Sequence, residues 1–277
     1  MNADSLGAWC DWAKVVARQA ARIAIERTGT FAFQKKSDAS VVTQADHDLQ
    51  AFVLDAIAHR FPDHAVIAEE SIQNAAAHAD PTTARYAWIL DPIDGTRNFV
   101  SGFPCVATAI ALLDRGDPVI GVIHEHFTGL MYSAFRGGGA FLEDKPVRVR
   151  RPWPMSDFLV AVPSSKDELA HFALSHWGGQ KDLVLRNVGV SNVHLAMVAA
   201  GQLTAAFGTQ AKLWDVAAGY LLVIEAGGKI SDPSGQPFTP FRIDDDRSRD
   251  YPFLAATPDL YDRFLHSLHG RTRVSDR

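Results

Sequence analysis

A chain of 277 residues, 47% of them hydrophobic and 21% charged, has the length of one large domain or two ordinary ones and the composition of a soluble globular protein. Its 27 basic and 32 acidic side chains leave a formal charge of −5, which offers no general attraction to nucleic acid or to anionic membrane surfaces. Cys10 and Cys105 are too few for a disulfide framework, no apolar run approaches the ~20 residues of a membrane span, and acidic Asp4 and Asp11 occupy the place where a signal peptide would be basic and then apolar. A cytoplasmic protein with no nucleic-acid or membrane partner is expected.

Leu6, Trp9, Val15, Val16, Ala20, Ile23 and Ile25 recur at helical spacing among charged residues, which predicts one amphipathic helix over residues 6–27, ended by Thr28-Gly29-Thr30. A second helix begins near Thr43, with Asp46 and Asp48 in its first turn, and stops at Phe61-Pro62-Asp63. Strands follow at 65–68, 86–90 and 107–113, the last turning through 114–117 into 118–124. The second half alternates: strand 158–162, helix 167–176, strand 183–187, helix 192–200, strand 205–207 and helix 215–226, the pattern of a sheet between helices. The basic, proline-containing stretch RVRRPWP divides the chain into halves 1–150 and 151–277, packed closely because no flexible linker is visible.

The stretch Trp88-Ile89-Leu90-Asp91-Pro92-Ile93-Asp94-Gly95-Thr96 runs an apolar strand into two aspartates and a Gly-Thr turn. Asp91 and Asp94 lie three apart with Pro92 stiffening the backbone, so both carboxylates and the carbonyl of Ile93 can converge on one cation, and hard oxygen ligands point to magnesium. Gly95 and Thr96 lead towards a helical turn whose free N–H groups suit a phosphate. Taken alone, a D-x-x-D pair is a solvated turn. Three further acids add to it: Glu69 and Glu70 after another apolar strand, Asp46 in VVTQAD, and Asp215 in WDVAAG. Each has an ordinary reading too, as surface charge, a first-turn acid or an N-cap.

In this order and with these neighbours, the stretches WILDPIDGTRNFVSGFP (88–104) and LWDVAAG (213–219), supported by KKSDASVVTQAD (35–46), AEES (68–71) and RGGGAF (136–141), resemble the two signatures of the inositol monophosphatase family. These are magnesium-dependent, lithium-sensitive phosphomonoesterases. The resemblance spans residues 5–265 and implies an αβαβα layered fold, α+β in its N-terminal half and α/β in its C-terminal half, with the active site between them. It implies Glu69, Asp91, Asp94, Asp215 and the Ile93 carbonyl as ligands of two or three Mg²⁺ ions. Asp46 and Thr96 would orient the attacking water and Glu69 would help hold it through the metal, the amides of Gly95 and Thr96 would contact phosphate, and Asp215 would lie near the leaving oxygen. The implied partners are a small phosphate ester, myo-inositol 1-phosphate first, and a second copy in a homodimer. Histidinol phosphate, fructose 1,6-bisphosphate and 3′-phosphoadenosine phosphates are alternatives on the same scaffold, and a non-catalytic, metal-stabilised regulatory protein is a different class of alternative.

Some residues depart from that pattern or stand outside it. Members that hydrolyse inositol phosphate commonly carry a hydroxyl-binding glutamate seven residues before the second-signature aspartate, where this chain has Gly208; Gly208→Glu is expected to favour inositol phosphate. Arg97 follows Gly-Thr, and His194 stands where Asp or Asn is usual, so both are candidate substrate contacts. The Gly run 137–139 lacks a strand–loop–helix context and reads as a tight turn. His124 and His126, without a third ligand, read as surface residues, Arg148–Arg151 as a solvated basic run, Cys105 as a packed thiol, and Glu70 as a helix cap or a solvated acid with a supporting role as the alternative.

Overall fold

The computed structural model describes residues 3–27, 33–35, 41–70, 79–150, 157–243 and 248–269. Thr28-Gly29-Thr30, residues 36–40, Ser71 and residues 151–154 of the expected boundary therefore lie outside the described residues. Helix α1 (Ala3–Arg27) precedes a two-stranded ribbon, β1 (Phe33–Lys35) and β2 (Val41–Thr43), and helix α2 (Gln44–Arg60). Next come β3 (Ala65–Ala68), β4 (Tyr86–Asp94), the short helix α3 (Thr96–Ser101), β5 (Ala107–Asp114), β6 (Asp117–Glu125), β7 (Met131–Phe135), β8 (Gly139–Leu142) and β9 (Lys145–Val147). These strands form one sheet in chain order, parallel between β3 and β4 and antiparallel elsewhere. The rest is β10 (Phe158–Ala161), α4 (Glu168–Gly178), β11 (Leu183–Arg186), α5 (Ser191–Ala199), β12 (Ala205–Gly208), α6 (Leu213–Glu225), β13 (Lys229–Ser231), β14 (Phe253–Ala256) and α7 (Pro258–His269). Its five strands run in the order β11-β10-β12-β14-β13.

Side-chain alternation sorts these elements into layers. On β4, Trp88 and Leu90 pack with Ala13, Ala17, Leu49 and Val53 of α1 and α2. Ala87 and Ile89 face the other way, onto a core shared with Val193 and Leu195 of α5 and with Val216 and Leu222 of α6. The second sheet closes that core from beyond with Ala206, Phe253 and Ala255. Its outer side, Val160, Phe207 and Leu254, is covered by Ala173 and Trp177 of α4 and Phe264 of α7. The result is the expected αβαβα layering. Helices α5 and α6, from the C-terminal part, lie between the sheets. Helix α6 can do so because β6 carries Gly121 beneath it: a Cβ there would stand 2.5 Å from the carbonyl oxygen of Ala218, well inside contact distance.

The sequence reading ended its sheet at β6 and so left β7–β9, β13, β14 and α7 unread. That omission explains one error. With β7 paired to it, β6 is an internal strand, and His124 and His126 are buried at 4% and 3% exposure rather than lying at the surface. The Thr108 hydroxyl donates to the Pro92 carbonyl (2.8 Å) and accepts from Nε2 of His126 (2.8 Å). Nδ1 of both rings is left without a partner. Burial pushes His124 down to about 4 and His126 down to about 3. In the unfolded chain both rings take protons near pH 6.5. The unfolded state thus binds more protons in this window; the stabilisation is complete above about pH 6.5 and is lost as pH falls towards 4. Replacing both rings by Gln is expected to flatten the fall in unfolding free energy between pH 6.5 and 4.5, by about 1.4 kcal/mol per pH unit per ring. Parallel slopes in denaturant titrations of wild type and double variant would show that the rings titrate normally.

Candidate active site

Period-two alternation on β4 places Asp91 on the same face as Ala87 and Ile89, towards α5 and α6. Regular pairing would turn Asp94 to the opposite face. Instead the register slips: Asp91 pairs with Ala109 and Asp94 with Ala107, so that Pro92 and Ile93 of β4 stand against Thr108 alone of β5. This bulge, at a proline that has no N–H to give the ladder, brings Asp94 round to the face of Asp91 and sends Ile93 into the opposite core. The aspartates are therefore not in a solvated turn beyond residue 90, as the D-x-x-D spacing alone suggested, but are buried in the strand at 1% and 8% exposure.

Helix α6 supplies the third acid. Asp215 is the third residue of the helix, and its carboxylate accepts the Lys212 backbone N–H at 2.6 Å. Carboxylate oxygens of Asp91, Asp94 and Asp215 lie within 4.8 Å of one another. Glu69, at the end of β3 where its N–H bonds the Leu90 carbonyl, adds a hydrogen bond to Asp91. Burial, then the charges of Glu69, Asp94 and Asp215, hold Asp91 well above the usual carboxylate range. Asp215 is raised likewise by burial and by Asp94. Burial pushes Asp94 up to about 6 although Asn192 donates to its Oδ2 through both the backbone (2.8 Å) and the side chain (3.0 Å). Oδ1 of Asp91 is buried without a partner, and the neighbouring Lys212 ammonium is turned to Asp250 and the Ser248 carbonyl. Converging hard oxygens with one orphaned lone-pair set fit a divalent cation.

A second pair stands beside this cluster. Asp46, fully buried on α2, accepts the Thr43 N–H (2.7 Å) and hydroxyl (2.6 Å) on Oδ2. Its Oδ1 faces the Thr96 hydroxyl at 3.2 Å, and that hydroxyl also lies 3.0 Å from the Ile93 carbonyl. Burial raises the pKa of Asp46. Gly95 is the N-cap of α3, with Thr96 as its first residue. Glu70 is buried, and its backbone is clamped by Gln50, which accepts its N–H (2.9 Å) and donates to its carbonyl (2.6 Å).

Arg97 and Ser191, the chain neighbours of Thr96 and Asn192, line a cleft of about 210 Å³ together with Ser164, Asn187, His194, Gly208 and Thr209 among others. Arg97 and His194 thus lie at this cleft and not among the acids. Gly208 faces Phe253 across the β12–β14 pair, and a Cβ on it would stand 2.5 Å from the buried Phe253 ring. This overturns the simple expectation for Gly208→Glu: the ring occupies the space through which a side chain would leave. That substitution is expected to lower the melting temperature, at a cost of about 1–3 kcal/mol from overpacking, before any gain in affinity; in a Phe253→Ala background, itself destabilised by loss of a buried ring, the further cost of Gly208→Glu should be smaller. A Gly208→Glu variant as stable as wild type in thermal melts would contradict this.

Asn192 escaped the sequence reading. Besides holding Asp94, it donates to the Trp214 carbonyl (3.2 Å), tying α5 to the start of α6, yet in the sequence it is one polar residue at a helix start. The readings of the other candidates hold with amendments. The glycines of 137–139 turn between β7 and β8, with N–H groups of Gly137 and Gly139 capped by Glu225. Cys105 is a half-buried thiol that burial pushes up to about 12, unsuited to nucleophilic work. Arg148 and Arg150 are exposed, but Arg150 also donates to the Gly201 carbonyl.

Residues 8–252 match the inositol monophosphatase family. Inositol monophosphatase 1 of Rattus norvegicus is 32% identical over 236 residues, covering 82% of this chain and 84% of its own. Among solved structures, an IMPase of Thermotoga maritima superposes with a TM-score of 0.81 at 26% identity, over 94% of this chain and 96% of that one. The extragenic suppressor protein suhB of Bartonella henselae gives 0.80 at 27%, over 92% and 96%. Among the described residues no helix is long and apolar enough to cross a membrane. Fold, acid cluster and sequence similarity over most of the chain agree, and the chain belongs to the inositol monophosphatase family of phosphoric monoester hydrolases.

Proposed function

We propose that this protein is a Mg²⁺-dependent, cytoplasmic phosphatase of small alcohol phosphates, with myo-inositol 1-phosphate as the first substrate to test. The observation that carries the reading is the meeting, at the end of β4, of three converging carboxylates, buried Asp91 and Asp94 and half-buried Asp215, with the Thr96–Asp46 pair. Glu69, Asp91, Asp94, Asp215 and the Ile93 carbonyl would hold the two or three ions. When bound, Mg²⁺ supplies Lewis acidity towards the phosphoryl oxygens and makes water more acidic. The Thr96 hydroxyl has one proton and two acceptors, and once the Ile93 carbonyl is engaged it donates wholly to Asp46. Its lone pairs then accept from the attacking water and fix its line of approach. Asp46, made more basic by burial, takes up the proton relayed through Thr96. The amides of Gly95 and Thr96, at the opening of α3, would contact the phosphate, with Arg97 and His194 lining the cleft for the alcohol.

The test is phosphate release from myo-inositol 1-phosphate, histidinol phosphate, fructose 1,6-bisphosphate and 3′-phosphoadenosine 5′-phosphate, with and without Mg²⁺. Release from inositol 1-phosphate that requires Mg²⁺ and is inhibited by Li⁺ is expected. Failure to hydrolyse any ester would overturn the proposal, and Mg²⁺-independent release would overturn the metal assignment. The homodimer that the resemblance implies is read from mass in solution by light scattering.

A further inference from the structure

The cleft beside the acids has a definite polarity, which follows from where its protons are already committed. The Ser164 hydroxyl (3.1 Å) and the Gly189 N–H (2.9 Å) both donate to Oδ1 of Asn187, which leaves the Asn187 amide N–H groups as donors. Nε2 of His194 accepts the Val188 N–H at 3.2 Å, so a neutral ring carries its proton on Nδ1, a further donor. The Thr209 hydroxyl is spent on Asp167, and that carboxylate is also occupied by the N–H groups of Leu169 and Ala170. Arg97 is exposed at the cleft and has no hydrogen-bond or ion-pair partner among the described residues. Among the described residues no carboxylate belongs to the cleft lining. At Gly208 the Phe253 ring fills the space that a longer side chain would need.

A neutral polyol needs strong acceptors for its hydroxyl protons; this cleft offers an unpaired cation and amide and imidazole donors. An anion needs donors. We infer that the preferred substrates carry a second phosphate group, placed against Arg97 while the scissile phosphate lies at the acid cluster, so that Arg97 determines specificity. The inference rests on the phosphatase reading above and narrows its substrate class. Ammonium-bearing esters such as histidinol phosphate are disfavoured for the same reason, since among the described residues no carboxylate lines the cleft to answer a cation.

The experiment compares matched pairs that differ only in the second phosphate: myo-inositol 1-phosphate with myo-inositol 1,4-bisphosphate, and fructose 1-phosphate with fructose 1,6-bisphosphate, at constant free Mg²⁺. The wild-type enzyme is expected to favour the bisphosphate of each pair by about tenfold in kcat/KM, the scale of one charge-assisted contact. Arg97→Gln should bring both ratios close to one, and Arg97→Lys should restore part of the preference without bidentate geometry. Raised ionic strength should reduce the wild-type ratio but not that of Arg97→Gln. Wild-type ratios at or below one, or ratios unaffected by Arg97→Gln, would overturn the inference and leave the phosphatase reading intact. No phosphate release from any of the four esters would overturn both.

Discussion

Asp91→Asn is expected to make the protein more stable without Mg²⁺ and at least ~10³-fold less active with it. Asp91 is a buried acid with an orphaned oxygen, pressed by three other carboxylates. Removing a buried group that lacks compensation recovers about 1–3 kcal/mol, and its amide can donate to the neighbouring acids. At about 2–4 °C per kcal/mol for a chain of this size, the metal-free variant should melt a few degrees above wild type at pH 8. The pH dependence has a definite sign. Carboxylates whose folded pKa is raised destabilise the fold above that pKa, and the penalty is relieved as pH falls through it. With Asp94 at about 6, the gap between variant and wild type should close as pH drops from 8 to 5. Added Mg²⁺ should reverse the order at pH 8, because an ion at 100 times its Kd contributes about 2.7 kcal/mol to wild type and much less to a site missing a ligand. The loss in kcat/KM corresponds to about 4 kcal/mol of transition-state stabilisation. Equal melting shifts with Mg²⁺ in wild type and variant would remove Asp91 from the metal site.

Thr96→Ala is expected to separate water activation from metal binding. The hydroxyl bonds Asp46 and the Ile93 carbonyl, and neither bond is to a carboxylate of the Asp91–Asp94–Asp215 cluster. The variant should therefore keep the full Mg²⁺ melting shift while kcat falls ~10²-fold, about 2.7 kcal/mol, with KM little changed. Thr96→Ser, which retains the hydroxyl, should recover most of the rate. A wild-type kcat in Thr96→Ala would take the residue out of the reaction, and a lost melting shift would reassign it to the metal site.

Those two side chains also mark how far the sequence could be read. Asp91 follows from alternation along an apolar strand, a local property. That Asp94 points the same way does not, because the slip is defined against β5 and no periodicity in β4 alone records it. The long helices and the early strands carried enough periodic apolar residues to be placed within a few positions. β9 and β13 run to only three residues, too short for any period to register, whereas the four-residue strands β3, β10, β11 and β12 were legible as apolar runs between turns and helices. Acid types and order were legible through the resemblance, but the geometry that makes Asp215 a neighbour of Asp91 comes from α6 crossing the other sheet. Phe253 against Gly208 is a cross-strand relation spanning 45 positions, outside what local pattern can express.

Helix α6 touches the back of the first sheet through bare backbone, Ala218 against Gly121, one turn from Asp215. That contact is a spacer gauge. The height of the helix above the sheet bears on how far the Asp215 carboxylate stands from Asp91 and Asp94, and so on the radius of ion that the proposed metal site would grip. Oxygen ligands sit at ~2.1 Å from Mg²⁺ and ~2.4 Å from Ca²⁺, a difference smaller than the thickness of one methyl group. If the three acids hold a cation as proposed, the choice between the two would thus be set partly by a glycine outside the acid cluster, on a strand that gives it no carboxylate.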